Sequence, residues 1–267
     1  MLVDVRLYSV GHCHNRAWFV ERGSLFREIY LPAMVAVIHH PEAGAILFDT
    51  GYGQPLVTAT SWAARLYRHI LPFELTPFEA GRRIDAIFLS HFHPDHIGSL
   101  REMPAVPILH SRDGLAELNK CSSFGRAKAA FFPELLPPDF ADRGRAIEDR
   151  PRIELNPSWR PFNEAYDIAG DGSLLAIALP GHATGQYGLA CHIRGNEWIF
   201  LVADAAWTKR NIADLAFPGW PAGAIIGDKV AYRDTLYKLH EFHQRRPEVR
   251  LIPSHCYESI SAFQNEQ

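Results

Sequence analysis

The sequence has few cysteines, and no two of them are close together. The four are Cys13, Cys121, Cys191 and Cys256, and no C-x-x-C motif occurs. A zinc ribbon and a dense disulfide framework are therefore excluded, and scattered free thiols are typical of a reducing compartment. We expect the protein to be cytoplasmic.

Long apolar runs and an excess of basic residues are also absent. No apolar stretch approaches the ~20 residues of a membrane span, and residues 1–10 alternate like a β-strand instead of forming a charged start and an apolar core. The formal net charge of −3 provides no positive field for a polyphosphate. We therefore expect neither a membrane nor a nucleic acid as a partner.

Short apolar runs recur along the chain and end in polar residues. With 267 residues, 47% of them hydrophobic, the chain can bury a large core. The runs predict buried strands and lie at 33–50, 83–90, 173–186, 197–206 and 249–256. The first of these ranges contains two strands around a Pro/Gly turn. The residues at or just beyond their ends are Asp49, His91, His182, Asp204 and His255. Because α/β proteins place their chemistry at the carboxyl ends of strands, we predict an α/β fold in which these residues converge on one site.

The stretch SHFHPDHIGSL, residues 90–100, contains the densest group of candidate ligands. His91 and His93 stand two apart and point the same way in an extended segment, while Asp95 and His96 follow Pro94. Imidazole nitrogen and carboxylate oxygen are donors that zinc, iron and manganese accept. Burying such groups without a metal or a charged partner is costly, so this stretch predicts a metal site.

A second group of histidines lies near the N-terminus, in GHCHN. Cys13 stands between His12 and His14, and the three could form another metal cluster. The position is also where the first strand is expected to end in a turn, and we favour an ordinary structural role for it.

Two long connections are rich in aromatic residues and proline. They span 53–80 and 111–165. Connections of this length in a compact domain usually carry function or helices of their own. We expect one domain over residues 1–267, with helical insertions that frame the mouth of the site or provide a homodimer surface. The alternative is that these two connections only add to the hydrophobic core.

The motifs SHFHPDHIG, LPGHATGQ, LVADAA and IPSH, with LFDTGYG upstream, together resemble the metallo-β-lactamase superfamily of hydrolases. The resemblance implies an αββα sandwich of two mixed β-sheets flanked by helices. It also implies two metal ions per chain. Zinc is the default, and iron, manganese or cobalt also suit these donors.

The resemblance implies a role for each candidate ligand. One metal would be held by His91, His93 and His182. The other would be held by Asp95, His96 and His255, and Asp204 would bridge the two metals. Asp49 would orient a ligand histidine. A hydroxide shared by the metals would attack the substrate, and Asp95 would act as the catalytic residue that passes a proton to the leaving alkoxide.

Among the branches of the superfamily, the chain is most similar to the quorum-quenching N-acyl homoserine lactone lactonases. Those enzymes have tyrosine three residues after the bridging aspartate, where this chain has Trp207. An indole N–H can donate one hydrogen bond to a substrate but cannot ionise, and the ring enlarges the apolar wall. We therefore expect a hydrolase that opens a lactone or cleaves an ester of a small apolar substrate, with a best substrate other than the acyl homoserine lactones. The alternatives are a glyoxalase II-like thioesterase, a phosphotriesterase or phosphodiesterase, and a catalytically silent ligand-binding metalloprotein.

Overall fold

The computed structural model describes residues 1–78, 83–220 and 222–265. The strands in these ranges are Asp4–Arg16 (β1), Glu28–His40 (β2), Gly44–Phe48 (β3), Phe73–Leu75 (β4), Ala86–Phe88 (β5), Ile108–His110 (β6), Gly144–Ala146 (β7), Arg152–Glu154 (β8), Glu164–Asp167 (β9), Leu174–Ala178 (β10), Tyr187–Ile193 (β11), Glu197–Ala203 (β12) and Arg250–Pro253 (β13). The α-helices in the same ranges are Ala17–Val20 (α1), Gln54–Thr58 (α2), Trp62–Ile70 (α3), Pro94–Ile97 (α4), Arg112–Lys120 (α5), Ser123–Lys128 (α6), Phe140–Arg143 (α7), Lys209–Ala213 (α8), Lys229–Arg245 (α9) and Tyr257–Asn265 (α10).

The strands form two sheets. One has the order β4-β1-β2-β3-β5-β6-β7, and the other has the order β13-β12-β11-β10-β9-β8. In the first sheet, β1 to β4 pair antiparallel, whereas β3, β5, β6 and β7 run parallel. In the second sheet, only the β12–β13 pairing is parallel within the described ranges. Both sheets are therefore mixed, as the resemblance implied.

Apolar side chains fill the space between the sheets and cover both outer faces. Phe48 of the first sheet and Leu201 of the second belong to the same buried cluster, which joins the sheets face to face. Leu56 of α2 is buried in a cluster on the outer face of the first sheet. Phe242 of α9 is buried in a third cluster on the outer face of the second sheet. This layering is the expected αββα sandwich.

The predicted apolar strands are all present. The range 33–50 contains most of β2 and all of β3, and the other four runs contain β5, β10, β12 and β13. Residues 31–38 of β2 are buried without interruption. A strand covered on both faces needs apolar residues at successive positions, which explains why this part of the sequence does not alternate.

The two long connections differ in content. Residues 53–78 carry α2, α3 and the short strand β4, and residues 79 and 80 of the predicted insertion lie outside the described residues. The range 111–165 begins with α5, α6 and α7, but its remainder supplies β7, β8 and the start of β9 to the two sheets. Short segments such as Gly-Arg-Ala and Arg-Ile-Glu have no alternation that would predict a strand.

Strand β1 is longer than the sequence suggested. The expectation that it ends in a turn at Cys13 is wrong, because β1 continues to Arg16 after a shift of register between Ser9 and His12. Such a shift turns the following side chains to the opposite face of the sheet.

The longest helix in the described part of the chain is α9, with 17 residues. The Asp228 carboxylate accepts hydrogen bonds from the N–H groups of Val230 and Ala231 and so caps its first turn. None of the described helices combines the length and the apolar character that crossing a lipid bilayer requires.

Candidate metal centre

The ends of several strands deliver the candidate ligands to one place. His91 and His93 follow β5, and Pro94 occupies the first turn of α4, where its lack of an N–H does no harm. This one-turn helix then presents Asp95 and His96. The other three ligands follow β10, β12 and β13 and are His182, Asp204 and His255.

Unusual backbone conformations occur where these strands end. Asp49, after β3, has φ of 57°, and Ala203, immediately before Asp204, has φ of 49°. Gly181 precedes His182 with φ of 127°, and a Cβ atom at this position would lie 2.1 Å from the backbone nitrogen of Tyr232 in α9. Only glycine fits so close to the helix. Left-handed conformations at non-glycine residues cost free energy and concentrate at functional sites.

The structure brings the seven predicted ligands into two adjoining groups. Within each group the ligand atoms lie within 4.8 Å of one another, and the groups are His91, His93 and His182, and Asp95, His96, Asp204 and His255. The first group contains the three histidines expected for the first metal, and the second contains Asp204 in addition to the three residues expected for the second metal.

Asp204, a member of the second group, contacts histidines of both groups. Its Oδ2 atom lies 3.2 Å from Nε2 of His182 and 3.1 Å from Nε2 of His255. Its Oδ1 atom lies 3.2 Å from Nε2 of His96. A carboxylate in this position can bridge two cations.

Three ligand histidines are held through the ring nitrogen that faces away from the centre. Nδ1 of His96 lies 2.7 Å from Oδ2 of Asp49, and Nδ1 of His255 lies 2.7 Å from the carbonyl oxygen of Pro32. The third, His91, has Nδ1 3.0 Å from the Ser90 hydroxyl. Such contacts fix ring orientation and leave Nε2 free to bind a metal.

Asp49 is completely buried and orients more than one group. Its two carboxylate oxygens accept hydrogen bonds from the backbone N–H and the hydroxyl of Ser90, over 2.8 and 2.7 Å, in addition to facing His96. Burial raises the pKa of Asp49. Ser90 was not among the predicted site residues, although its position beside the first ligand histidine was a signal.

Several ligand atoms have no partner with hydrogen-bond geometry among the described residues, although they are buried. They are Nε2 of His91 and His96 and Oδ1 of Asp204. Unpaired buried polar atoms cost about 1–3 kcal/mol each. A divalent cation would satisfy nitrogen and carboxylate donors together, so these residues fit a metal.

The protonation states of the ligands also fit a cation. Burial lowers the pKa values of His91 and His182 well below the usual value, with further lowering by neighbouring histidines. Burial would raise the pKa of Asp204, but His255, His96 and His182 outweigh it and hold that pKa well below the usual value. Neutral imidazole and ionised carboxylate are the forms that bind metals.

His96 and His255 behave differently. Burial would lower the pKa of each, but for His96 the carboxylates of Asp95, Asp49 and Asp204 outweigh it, and for His255 the carboxylate of Asp204 does so. Both pKa values are therefore raised. In the absence of a cation, protons on these rings supply part of the positive charge that the carboxylates require.

A cavity of about 200 Å³ adjoins the ligands. His93, Asp95, His182, Asp204 and His255 line it together with apolar side chains. The apolar part of the lining includes Phe19, Leu31, Leu66, Ile70, Phe132 and Trp207. Leu66 and Ile70 belong to α3, so the predicted insertion at 53–80 contributes to this wall.

Trp207 lies in the cavity wall, where the sequence placed it, but its polar atom faces the ligands. Its Nε1–H donates a hydrogen bond of 3.0 Å to Oδ2 of Asp204, and the residue is 4% exposed. Its ring stacks on Phe19, with a centroid distance of 6.5 Å. The N–H expected to face a substrate is therefore donated to the candidate bridging carboxylate.

Cys13, for which the sequence favoured an ordinary structural role, also lines the cavity. Burial raises the pKa of its thiol to about 12, so the thiol is protonated at neutral pH. The register shift in β1 explains this position, because it turns Cys13 toward the cavity and the flanking histidines away from it.

A model of the metallo-beta-lactamase superfamily matches residues 31–242 of this chain. Among curated proteins, the N-acyl homoserine lactonase AttM of Rhizobium johnstonii is 30% identical over 140 residues, which cover 51% of this chain and 46% of the relative. A probable metallo-hydrolase of Mycobacterium tuberculosis is 25% identical over 233 residues, covering 79% of this chain and 71% of the relative. The chain spans about half the length of the curated lactonases that it matches.

Solved structures resemble the whole chain. An N-acyl homoserine lactone hydrolase with N-hexanoyl-L-homoserine bound at its catalytic metal centre has a TM-score of 0.69 and 18% identity, covering 98% of this chain and 97% of the other. A variant of AiiA from B. thuringiensis gives the same values. At this identity, the likeness establishes the fold.

Proposed function

Since this chain belongs to the metallo-β-lactamase superfamily, we propose that it is a metal-dependent hydrolase that opens a lactone, or cleaves a carboxylic ester, of a small apolar substrate. The observation that carries the proposal is the convergence of two groups of metal-binding side chains beside an apolar cavity. The lactonase relatives, whose names specify N-acyl homoserine lactones, favour a lactone among carbonyl substrates.

The proposed cofactor is a pair of divalent cations. The three histidines of the first group would hold one, the second group would hold the other, and Asp204 would lie between them. Zinc suits these donors, and so do iron, manganese and cobalt. When bound, such cations polarise a carbonyl oxygen and lower the pKa of water toward ~7.

Asp95 is the proposed proton carrier. Its side chain lines the cavity, and Oδ2 lies 3.4 Å from Nε2 of His255. When water attacks the acyl carbon, this carboxylate can accept the proton that the water loses and pass it to the alkoxide oxygen as the C–O bond breaks. The water oxygen remains in the carboxyl product, so the atoms balance.

The apolar lining selects the substrate. Side chains such as Leu31 and Phe132 can bury an alkyl or aryl substituent at about 25 cal/mol per Å², and Lys128 adds one cationic side chain to the same lining. A cavity of about 200 Å³ accommodates only a small group. We therefore assign this space to the apolar part of the lactone or ester.

The experiment is a turnover assay with metal-replete protein. The panel contains lactones with and without an N-acyl homoserine group, aryl esters, an S-acyl thioester and a phosphotriester. We expect hydrolysis of lactones or esters, loss of that activity on chelation, and its return with zinc.

Two variants separate the centre from the rest of the fold. His91→Ala removes a ligand, and we expect it to abolish turnover. His40→Gln changes a buried histidine that contacts Asp171 and lies in neither ligand group, so turnover should persist. If the protein preferred the thioester or the phosphotriester, the proposed lactone or ester substrate class would be wrong. No product from any substrate would overturn the hydrolase and favour a ligand-binding role.

A further inference from the structure

We propose that His12, His14 and Glu74 form a second divalent-cation site, separate from the candidate metal centre. The first two residues belong to β1 and the third to β4. In the antiparallel pairing of these strands, His12 lies directly opposite Glu74. His14 is two residues further along β1 and therefore on the same face. Cys13, between them, faces the cavity instead.

The distances between the three side chains suit a common metal. Nε2 of His14 lies 3.3 Å from one carboxylate oxygen of Glu74, and Nε2 of His12 lies 3.8 Å from the other. One ligand atom from each of the three lies within 4.8 Å of the others. Tetrahedral zinc with bonds of about 2.0–2.2 Å separates its ligands by about 3.4 Å. Small changes of side-chain torsion would therefore complete the site.

The ring orientations are defined by neighbours. The two imidazole rings stack, with centroids 5.5 Å apart and planes 24° apart. The ring of Tyr30, from β2, meets both of them edge to face. Nδ1 of His14 lies 3.6 Å from a carboxylate oxygen of Glu28. A carboxylate at the outer nitrogen of a histidine typically orients metal-binding imidazoles.

The chemistry of the site favours a transition-metal cation. Two imidazoles and one carboxylate are a donor set for zinc or copper(II), and exposure leaves a coordination position for water. The side chains of His12 and His14 are 22% and 30% exposed. The ordinary role of the three side chains is a pair of surface ion contacts, which contribute little to stability. A shared metal also requires one ligand atom of each side chain to face a common point, and these atoms lie within 4.8 Å of one another.

A cation bound by His12, His14 and Glu74 would link two strands, one of which follows a helix of the cavity wall. It would join β4 to β1, which pair at three positions. Strand β4 follows α3, whose Leu66 and Tyr67 line the cavity. Because these strands bring the three ligands together only in the folded chain, we expect cation binding to stabilise the folded state by mass action.

The test is a zinc titration by isothermal calorimetry at pH 7.5, with protein whose candidate metal centre has already been filled. We expect one further equivalent per chain. His14→Ala should weaken that equivalent by at least about tenfold, because even an indirect partner of a ligand contributes this much. Cys13→Ser should retain it, since that side chain points away. His192→Ala is the matched control, as this histidine contacts Asn196 and lies in none of the three candidate groups.

Two results would overturn the proposal. One is a titration with no further equivalent, or one that His14→Ala and His192→Ala leave equally intact. The other is a zinc-dependent doubling of mass in sedimentation equilibrium that His14→Ala abolishes, which would mean that the cation bridges two molecules. His91→Ala should keep the further equivalent, so this site and the candidate metal centre can fail independently.

Discussion

Trp207→Phe removes one N–H group from the candidate metal centre and keeps an aromatic ring in the same wall. The lost hydrogen bond is the 3.0 Å contact from Nε1 to Oδ2 of Asp204. The tryptophan is 4% exposed, so water has little access to replace it. A hydrogen bond to a charged group contributes about 1.5–3 kcal/mol, which is about 10- to 150-fold in a binding constant. We expect zinc affinity to fall by that factor, because Asp204 is the proposed bridge.

The assay is competition for zinc against a chromophoric chelator. Trp18→Phe is the matched control, because the buried indole N–H of Trp18 has no hydrogen-bond partner among the described residues. Its replacement removes ring area without removing a hydrogen bond. If Trp207→Phe and Trp18→Phe retained the same zinc affinity, the claim that Trp207 positions Asp204 would be wrong.

Three further predictions concern the same centre. Asp204→Asn should reduce bound metal per chain and abolish turnover, and an unchanged stoichiometry in elemental analysis would contradict the bridging role. Asp49→Asn should weaken zinc by about 10- to 100-fold by releasing His96, measured by the same chelator competition, and full affinity would show that the 2.7 Å contact is dispensable. Because nearby carboxylates outweigh burial and raise the pKa values of His96 and His255, zinc must displace protons from them. Affinity should therefore rise with pH until both rings are neutral, and calorimetry in two buffers of different ionisation enthalpy should detect proton release at pH 7.

Local sequence patterns predict the part of this centre that depends on strand ends. A buried strand appears in the sequence as an apolar run, and the first polar residue beyond it marks where the backbone leaves the sheet. This is why the positions of His91, His182, Asp204 and His255 could be predicted one by one. Their division between two metals came from the family resemblance, and the side chains lie in two groups, of which the second includes Asp204.

Features that depend on pairing between distant segments could not be predicted. The register shift in β1 reverses the faces of Cys13 and its neighbours, and Gly11, which lies at the shift with φ of 137°, marks a bulge without fixing the new register. The contact between His12 and Glu74 joins two strands that are 62 positions apart in the chain. The direction of the Trp207 N–H depends on packing against Phe19 and was likewise invisible.

The central claim is that two divalent cations bind between the seven converging side chains. Crystals of zinc-loaded protein, measured on both sides of the zinc absorption edge, test it directly. We predict two anomalous peaks, one among His91, His93 and His182 and one beside Asp95, His96 and His255, with Asp204 in contact with both. Zinc-loaded crystals without an anomalous peak among these residues would contradict the account.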